Sequence, residues 1–218
     1  MSLSAPPGTR LSLRRHGRQL AALVLSAAIW QFHSGCAFNR ADDQATVATG
    51  RSSWRLLDLS GQAVDPFQTA DTPAVVFVFV SNDCPISNRY APEIKRLHAK
   101  FVSRGVAFWL VHPDADETAE AIRRHAGDYQ YRCGILRDPQ HALVKKAKVR
   151  VTPEAAVFGP DRQLIYHGRI DNWYVDFGKE RPAPTEHDLE EVLEAILAGK
   201  PVRNRFTRAI GCYIAGTP

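Results

Sequence analysis

The sequence has no apolar run long enough to span a membrane, and outside its N-terminus it has no excess of charge. The longest mainly apolar stretch, residues 20–32, has thirteen residues, whereas a membrane-spanning helix needs about 20. The net charge is +5, but residues 1–35 hold four arginines and no acid, so the rest of the chain carries only +1. A near-neutral body has no clustered basic face of the kind that binds nucleic acid. We therefore predict no nucleic-acid partner.

The first residues have the pattern of an export signal. Arginines at 10–18 precede the apolar stretch 20–32, after which the chain becomes polar. This pattern predicts a signal peptide or membrane anchor over residues 1–35, followed by a linker over 36–50. A glycine directly before Cys36 is typical of bacterial lipoprotein signals. We expect an exported protein, in the periplasm or anchored on the outer side of a membrane, with lipidation of Cys36, plain cleavage and an uncleaved anchor as alternatives.

Cysteine is scarce, and its number is informative. The four cysteines are Cys36, Cys84, Cys133 and Cys212. In an oxidising compartment paired cysteines usually form disulfides. If Cys36 is lipidated or removed, three remain, and an odd count leaves at least one thiol unpaired and open to chemistry.

Apolar periodicity predicts an α/β domain over residues 51–200. Residues 74–81 and 106–111 are apolar on both faces, which is typical of central strands covered on both sides. Between them, apolar residues spaced three and four apart predict an amphipathic helix, kinked at Pro92. The order of strand, helix, strand, helix, hairpin and helix predicts a central mixed β-sheet flanked by helices.

The C-terminal third contains weaker signals. Residues 172–184 are predicted to form a loop rich in Trp, Tyr and Pro, and Thr185 is predicted to cap the last helix. Arg169 and Asp171 are predicted to form a local salt bridge. Residues 201–218 are predicted to be a mobile tail.

Cys84 lies between a predicted strand and a predicted helix. A thiol at the first turn of a helix is close to unpaired N–H groups, which favour the thiolate. Such positions lower the cysteine pKa from about 8.5 into the range of about 3.5–7.5. The position therefore predicts that Cys84 is a nucleophile and the most readily alkylated thiol near neutral pH.

Two segments resemble the thioredoxin superfamily, and within it the peroxiredoxin-like redoxin group of the AhpC/TSA type. In "FVFVSNDCPISNRYAPE" Cys84 matches the first cysteine of a C-x-x-C motif, and Ser87 takes the place of the second. In "VRVTPEAAVFGPDRQLIYHGRID" Thr152-Pro153 stands where these proteins carry a cis-proline that presents backbone to an incoming disulfide. The resemblance implies a thioredoxin-like fold and an exported oxidoreductase that exchanges disulfides with protein or small-molecule thiols, with no cofactor and no metal.

Half of a C-x-x-C motif needs a second thiol, because Ser87 cannot form a disulfide. Release of a mixed disulfide then depends on an external thiol or on another cysteine of the chain. Cys212, in "AIGCYIAG" near the C-terminus, is the candidate, and Cys133 is predicted to be a small buried side chain. The predicted catalytic residues are Cys84, Ser87, Thr152, Pro153 and Cys212.

Three other functions remain open at this point. Peroxide reduction by a peroxiredoxin-like mechanism requires residues resembling P-x-x-x-T-x-x-C, and here Ser81 replaces the threonine and Phe77 the proline. A metal-handling module would use soft thiolate ligands, with His112 beside Cys84 and Cys212. A non-catalytic member of the fold would bind partners through the cis-proline groove.

Overall fold

The computed structural model describes residues 56–68 and 72–216. The predicted signal or anchor, the linker and Cys36 lie outside the described residues. Within the described ranges, no helix combines the length and apolar character that crossing a bilayer requires.

A seven-stranded mixed sheet forms the centre of the domain. The strands in chain order are β1 (Leu56–Leu57), β2 (Ala63–Val64), β3 (Val75–Phe79), β4 (Ala107–His112), β5 (Gly134–Arg137), β6 (Val151–Thr152), β7 (Glu154–Phe158), β8 (Leu164–Gly168), β9 (Tyr174–Asp176), β10 (Lys179–Glu180) and β11 (Cys212–Tyr213). The helices are α1 (Pro85–Arg89), α2 (Ala91–Val102), α3 (Ala119–Asp128), α4 (Ala142–Ala147) and α5 (Asp188–Leu197).

The order of strands confirms the predicted mixed sheet. It runs β2-β1-β5-β4-β3-β7-β8, and β9–β10 and β6–β11 form two separate pairs. Strand β3 is parallel to β4 and antiparallel to β7. The two apolar runs of the sequence are therefore neighbouring strands, as predicted.

Strand β3 is buried along its whole length because both faces of the sheet are covered. Val76 and Val78 belong to one hydrophobic cluster, with the apolar residues of α2 and α5. Phe77 and Phe79 belong to the other, with the buried residues of α4. Alternate side chains of a strand point to opposite faces, so a run apolar at every position is what a doubly covered strand requires.

The predicted kink at Pro92 is a break between two helices. Helix α1 ends at Arg89, and α2 begins at Ala91 with Pro92 in its first turn. Proline lacks an N–H to continue the helical ladder, and it is well tolerated in a first turn, where that donor has no partner.

Two predictions for the C-terminal third are wrong at this level. The N-cap position of helix α5 is His187, whose side chain makes no capping hydrogen bond, and not Thr185. The Asn172 side chain holds Thr185 instead, accepting from its N–H and donating to its hydroxyl, both at 2.8 Å. The segment predicted as a loop over 172–184 contains the β9–β10 hairpin.

The C-terminal segment packs on the domain and is not a free tail. Arg205 and Thr207 form backbone hydrogen bonds with His167 of β8, at 3.1 and 3.3 Å. Further along, β11 pairs antiparallel with β6, with Cys212 opposite Thr152. The backbone hydrogen bonds of this segment therefore come from two different strands, which fixes where Cys212 lies.

Candidate active site around Cys84

Cys84 is the residue that starts α1, at the end of the loop that leaves β3. It caps the helix with its sulfur, which accepts from the Ser87 N–H at 3.4 Å. The side chain is buried, with 1% of the residue exposed. The predicted strand–cysteine–helix arrangement is therefore present.

The segment Thr152-Pro153 lies against this sulfur. The Cys84 thiol donates to the Thr152 carbonyl oxygen at 2.9 Å, and the Thr152–Pro153 peptide bond is cis. A residue 68 positions away in the sequence thus contacts the cysteine, as the resemblance implied.

Cys212 completes the arrangement. Strand β11 sets Cys212 opposite Thr152, the residue whose carbonyl oxygen accepts from the Cys84 thiol, and the Cys212 thiol and N–H are near enough to lower the Cys84 pKa. Of the other predicted site residues, Ser87 and Thr152 therefore hydrogen-bond to Cys84, Cys212 pairs with Thr152, and Pro153 follows Thr152 through the cis bond. Cys133, by contrast, contributes no hydrogen bond to this sulfur.

The thiols differ in acidity. Burial by itself raises the pKa of Cys84, but hydrogen bonds from the Cys212 thiol, from Ser87 and from the Cys212 N–H outweigh it, so its pKa lies below the ordinary value. Burial, together with the hydrogen bond and charge of Cys84, raises the pKa of Cys212 to about 12. Burial raises the pKa of Cys133 to about 11. Cys84 is thus the thiol of these three that most readily becomes a thiolate.

Ser87 has a hydroxyl that is available to this thiolate. Its oxygen is buried and makes no hydrogen bond of ordinary geometry in the described part of the chain, yet it lies close enough to lower the Cys84 pKa. A buried hydroxyl without a partner is costly. Donation to a negative sulfur would satisfy it, which favours the charged form of Cys84.

Glu117 anchors the loop that carries Cys84, and the sequence did not reveal it. One carboxylate oxygen accepts from the Ser81 hydroxyl at 3.0 Å and from the Asn82 N–H at 2.7 Å. The other lies 2.6 Å from Nδ1 of His112. Burial by itself raises the pKa of Glu117, but His112 and the loop donors lower it below the ordinary value. The one available signal was a histidine at the end of a central strand with an acid five residues later.

A predicted salt bridge near the site is replaced by two other interactions. Asp171 accepts from the Tyr90 hydroxyl at 2.6 Å and from the Trp173 N–H at 2.9 Å. Arg169 instead pairs with Asp188, at 2.7 Å, and with Glu186. The Arg169–Asp171 prediction is wrong because the backbone turns the two side chains toward different elements.

A thiolate–histidine metal site is not assembled within residues 56–68 and 72–216. His112 contacts Glu117, and together with Cys84 and Cys212 it does not form a set of ligand atoms close enough for one ion. The group whose atoms do lie close enough is Glu93, Asp171 and His187. The Cys84 site is therefore suited to sulfur chemistry and not to a shared soft-metal centre.

Comparison with known proteins agrees with this geometry. Residues 48–167, more than half of the chain, match the sequence model of the AhpC/TSA family. No curated protein matches the chain.

Solved structures show the same fold. An uncharacterised conserved protein from Geobacillus kaustophilus is similar with 23% identity and a TM-score of 0.65, over 76% of this chain and 89% of that one. A hypothetical protein from Sinorhizobium meliloti has 26% identity and a TM-score of 0.64, over 74% and 90%. A proposed thiol:disulfide interchange protein DsbE from Chlorobium tepidum has 17% identity and a TM-score of 0.51, over 65% and 91%. The fold is thioredoxin-like.

Proposed function

Because this chain belongs to the AhpC/TSA family, within the thioredoxin superfamily, we propose that it is a thiol-disulfide oxidoreductase with Cys84 as nucleophile and Cys212 as resolving thiol. The observation that carries this proposal is the pairing of Cys212 with Thr152, whose carbonyl oxygen accepts from Cys84, together with the opposite changes in pKa of the two thiols. A low-pKa thiolate attacks, and a high-pKa thiol beside it stays protonated until it is needed.

The reaction consists of two exchanges. The Cys84 thiolate attacks one sulfur of the partner disulfide, forming a mixed disulfide and releasing the other partner sulfur as a thiolate. Cys212 then loses its proton and attacks the Cys84 sulfur, which forms a Cys84–Cys212 disulfide and releases the second partner thiolate. The partner gains two electrons and this protein loses two, so a dithiol reductant must restore it.

Formation of the mixed disulfide at Cys84 lowers the pKa of Cys212, which favours the second exchange. After burial, the contributions that raise the Cys212 pKa are the hydrogen bond and the charge of Cys84. In the mixed disulfide Cys84 no longer carries a charge, so the pKa of Cys212 falls when Cys212 must act. Ser87 and the Thr152 carbonyl position the Cys84 sulfur without taking part in electron transfer.

Access to Cys84 requires β11 to move. The Cys84 residue is 1% exposed, and β11 pairs with the adjacent strand β6 through only two residues. A disulfide of a protein partner can approach along the β6 edge only after β11 has opened. The short length of β11 makes such an opening a modest cost.

The burial of Cys84 also favours a second candidate, peroxide reduction. A peroxide is small enough to reach a thiolate that a protein disulfide reaches only after β11 opens. Cys84 would be oxidised to sulfenic acid with release of water or alcohol, and Cys212 would condense with it to the same disulfide and a water molecule.

We also propose that the protein acts outside the cytoplasm. The arginine-rich and apolar residues 1–35 support export, and lipidation of Cys36, plain cleavage and an uncleaved anchor are the alternatives for the N-terminus. Alkaline phosphatase fused after residue 50 tests this proposal, since it is active only when exported. A fusion without phosphatase activity in intact cells would contradict it.

The test of the catalytic proposal is single-turnover oxidation of the reduced full chain by one equivalent of a small disulfide or of hydrogen peroxide. We expect a Cys84–Cys212 disulfide on peptide mapping, and in Cys212→Ser a stable adduct on Cys84. Cys133→Ser is the matched control and should behave as the wild type. Absence of the Cys84–Cys212 disulfide in the wild type, with the same Cys84 adduct in the wild type as in Cys212→Ser, would contradict the resolving role. A larger rate constant with peroxide than with the disulfide would favour the second candidate.

A further inference from the structure

A cleft of about 710 Å³ lies on the side of the β6–β11 pair that faces away from the thiols. Val151 of β6 and Tyr213 of β11 line it and are opposite each other in the pair. Because neighbouring residues of a strand point to opposite faces, these side chains are on the other face from Thr152 and Cys212. The cleft and Cys212 therefore lie on opposite faces of the same pair of strands.

The rim of this cleft carries cations that have no partner. Lys148, Arg150 and Arg208 line it and are exposed. None of the three side chains forms an ion pair or hydrogen bond with the described residues, unlike the arginines that pair with acids elsewhere on the surface.

The acids of the cleft do not neutralise these cations. Glu154 is buried, and its carboxylate accepts from the backbone N–H groups of Arg150 and Val151 and faces His167. Asp176 accepts from the N–H of Phe177. The cleft therefore offers an excess of exposed positive charge to an occupant.

The same cleft holds most of the exposed aromatic surface. Phe177, Phe206 and Tyr213 are 65%, 61% and 84% exposed and all line it. They are three of the five large hydrophobic residues that are exposed in the described part of the chain. Exposed apolar side chains gathered at one place mark interaction sites, and aromatic residues are enriched in the cores of protein interfaces.

We propose that this cleft docks an acidic segment with apolar side chains, belonging to the protein that exchanges its disulfide at Cys84 and Cys212. The proposal rests on the proposed function for the identity of the partner. Charge complementarity selects acidic residues, and the aromatic rim selects apolar side chains between them. A protein segment fits better than a lipid surface because the cleft is concave and is lined by Tyr213 of β11, the strand that also carries Cys212.

An occupant of this cleft would act on β11, the strand that carries Cys212. The occupant contacts Gly211 and Tyr213, the two neighbours of Cys212 in the chain. A Cβ at Gly211 would lie 2.2 Å from the Thr152 carbonyl oxygen, so β11 and β6 are in tight contact at this point. An occupant that draws the Tyr213 ring into the cleft displaces β11, and Cys212 moves away from the Cys84 sulfur with it.

The test uses the full chain and a fluorescent peptide without cysteine, in which aspartate and glutamate alternate with phenylalanine and leucine. Binding is measured by anisotropy at low and moderate salt, against the same peptide with lysine replacing every acid. We expect the acidic peptide alone to bind. The triple variant Lys148→Gln/Arg150→Gln/Arg208→Gln should weaken its binding about tenfold, as three partly exposed ion pairs would.

The matched control removes three exposed cations outside the cleft, through Arg132→Gln, Lys200→Gln and Arg203→Gln. It should bind the acidic peptide as the wild type does, because the net charge changes equally but the cleft does not. Equal weakening in both triple variants, or equal binding of both peptides, would overturn the proposal. Binding of anionic phospholipid vesicles that needs the cleft cations, with no peptide binding, would overturn it as well.

A neutral disulfide, 2-hydroxyethyl disulfide, separates this proposal from the proposed function. Both triple variants should react with it at the wild-type rate, which also shows that they are folded. Failure of the wild type to react would refute the oxidoreductase function, while the peptide measurement still decides on the cleft. Normal reaction without preference for the acidic peptide would refute the docking site alone. The single reversal Arg208→Glu is the second variant, and it should weaken acidic-peptide binding in the same direction.

Discussion

At the scale of single residues, the chemistry of the site depends on which groups donate hydrogen bonds to the buried sulfur of Cys84. Burial opposes a thiolate at Cys84, and donors from Ser87 and Cys212 more than offset it. Each hydrogen bond to a charged group contributes about 1.5–3 kcal/mol. The charge state of Cys84 is therefore a balance that individual substitutions can shift.

We predict that Cys212→Ala raises the pKa of Cys84 more than Ser87→Ala does. The Cys212 thiol is the largest contributor to lowering that pKa, and the Ser87 hydroxyl is a smaller one. Ser87→Ala also keeps the backbone N–H that donates to the Cys84 sulfur. The measurement is the pH midpoint of iodoacetamide labelling, in a background with Cys36→Ser and Cys133→Ser so that Cys84 is followed. An unchanged midpoint in Cys212→Ala would show that the two sulfurs do not interact.

For Glu117 we predict a contribution to the free energy of unfolding that depends on pH. Its folded pKa is below the unfolded value of 4.5, so its stabilising contribution is present above about pH 4.5 and is lost as the pH falls through the folded pKa. Glu117→Gln should lower the free energy of unfolding by about 1–3 kcal/mol at pH 7, with a smaller difference below pH 4. Urea denaturation at both pH values checks this.

The control for this experiment is Glu120→Gln, which removes an exposed acid from the same region. It pairs only with the exposed Arg124, and we expect a change within about 0.5 kcal/mol. A Glu117→Gln effect that is constant from pH 7 to pH 3 would show that shape, and not charge, anchors the Cys84 loop.

At the scale of elements, the strand β11 carries Cys212, the proposed resolving thiol. Its two residues pair with β6, and Gly211 precedes them where the backbones are closest. Since Gly211 faces the Thr152 carbonyl oxygen at a distance that leaves no room for a Cβ, glycine is required there for contact and not for backbone conformation.

We predict that Gly211→Ala shifts β11 away from β6. Cys84 should then be alkylated faster because its cover is loosened, and the Cys84–Cys212 disulfide should form more slowly. Gly127→Ala is the matched control, because a Cβ there meets nothing within 4 Å, and in helix α3 alanine is favoured by about 1 kcal/mol. Labelling rates that agree between Gly211→Ala and the wild type would mean that β11 does not control access.

At the scale of the whole molecule, the residues after α5 belong to the domain. Val202, Ile210 and Cys212 pack against one hydrophobic cluster and Ile214 against the other. The segment also hydrogen-bonds to β8. The domain therefore extends beyond the boundary predicted at residue 200 in its packing.

We predict opposite outcomes for two shortened chains. A chain that begins at residue 45 should keep the thermal transition of the full chain, because residues 1–35 are predicted to serve export. A chain that ends at residue 200 should melt about 10 °C lower. It loses burial worth about 4 kcal/mol, and 1 kcal/mol shifts the Tm of a domain of this size by about 2–4 °C. Calorimetry of both chains decides it, and equal melting of the second and the full chain would contradict the packing role.

The sequence alone determined the two central strands of the sheet and the position of Cys84, the proposed nucleophile, at the start of a helix. The apolar runs of β3 and β4 and the apolar stripe of α2 are local periodicities. They can be recognised from neighbouring residues alone, without knowledge of distant segments. The strand–Cys84–helix and Thr152-Pro153 motifs predicted the contact at the sulfur.

Only the tertiary structure decided the partners of single polar side chains. Glu117 reaches back 36 residues to Ser81, Arg169 pairs with Asp188 and not with Asp171, and Cys212 lies over Cys84 because its strand joins β6. Such partners depend on how distant segments are placed in space, and the local pattern of a sequence carries no record of that.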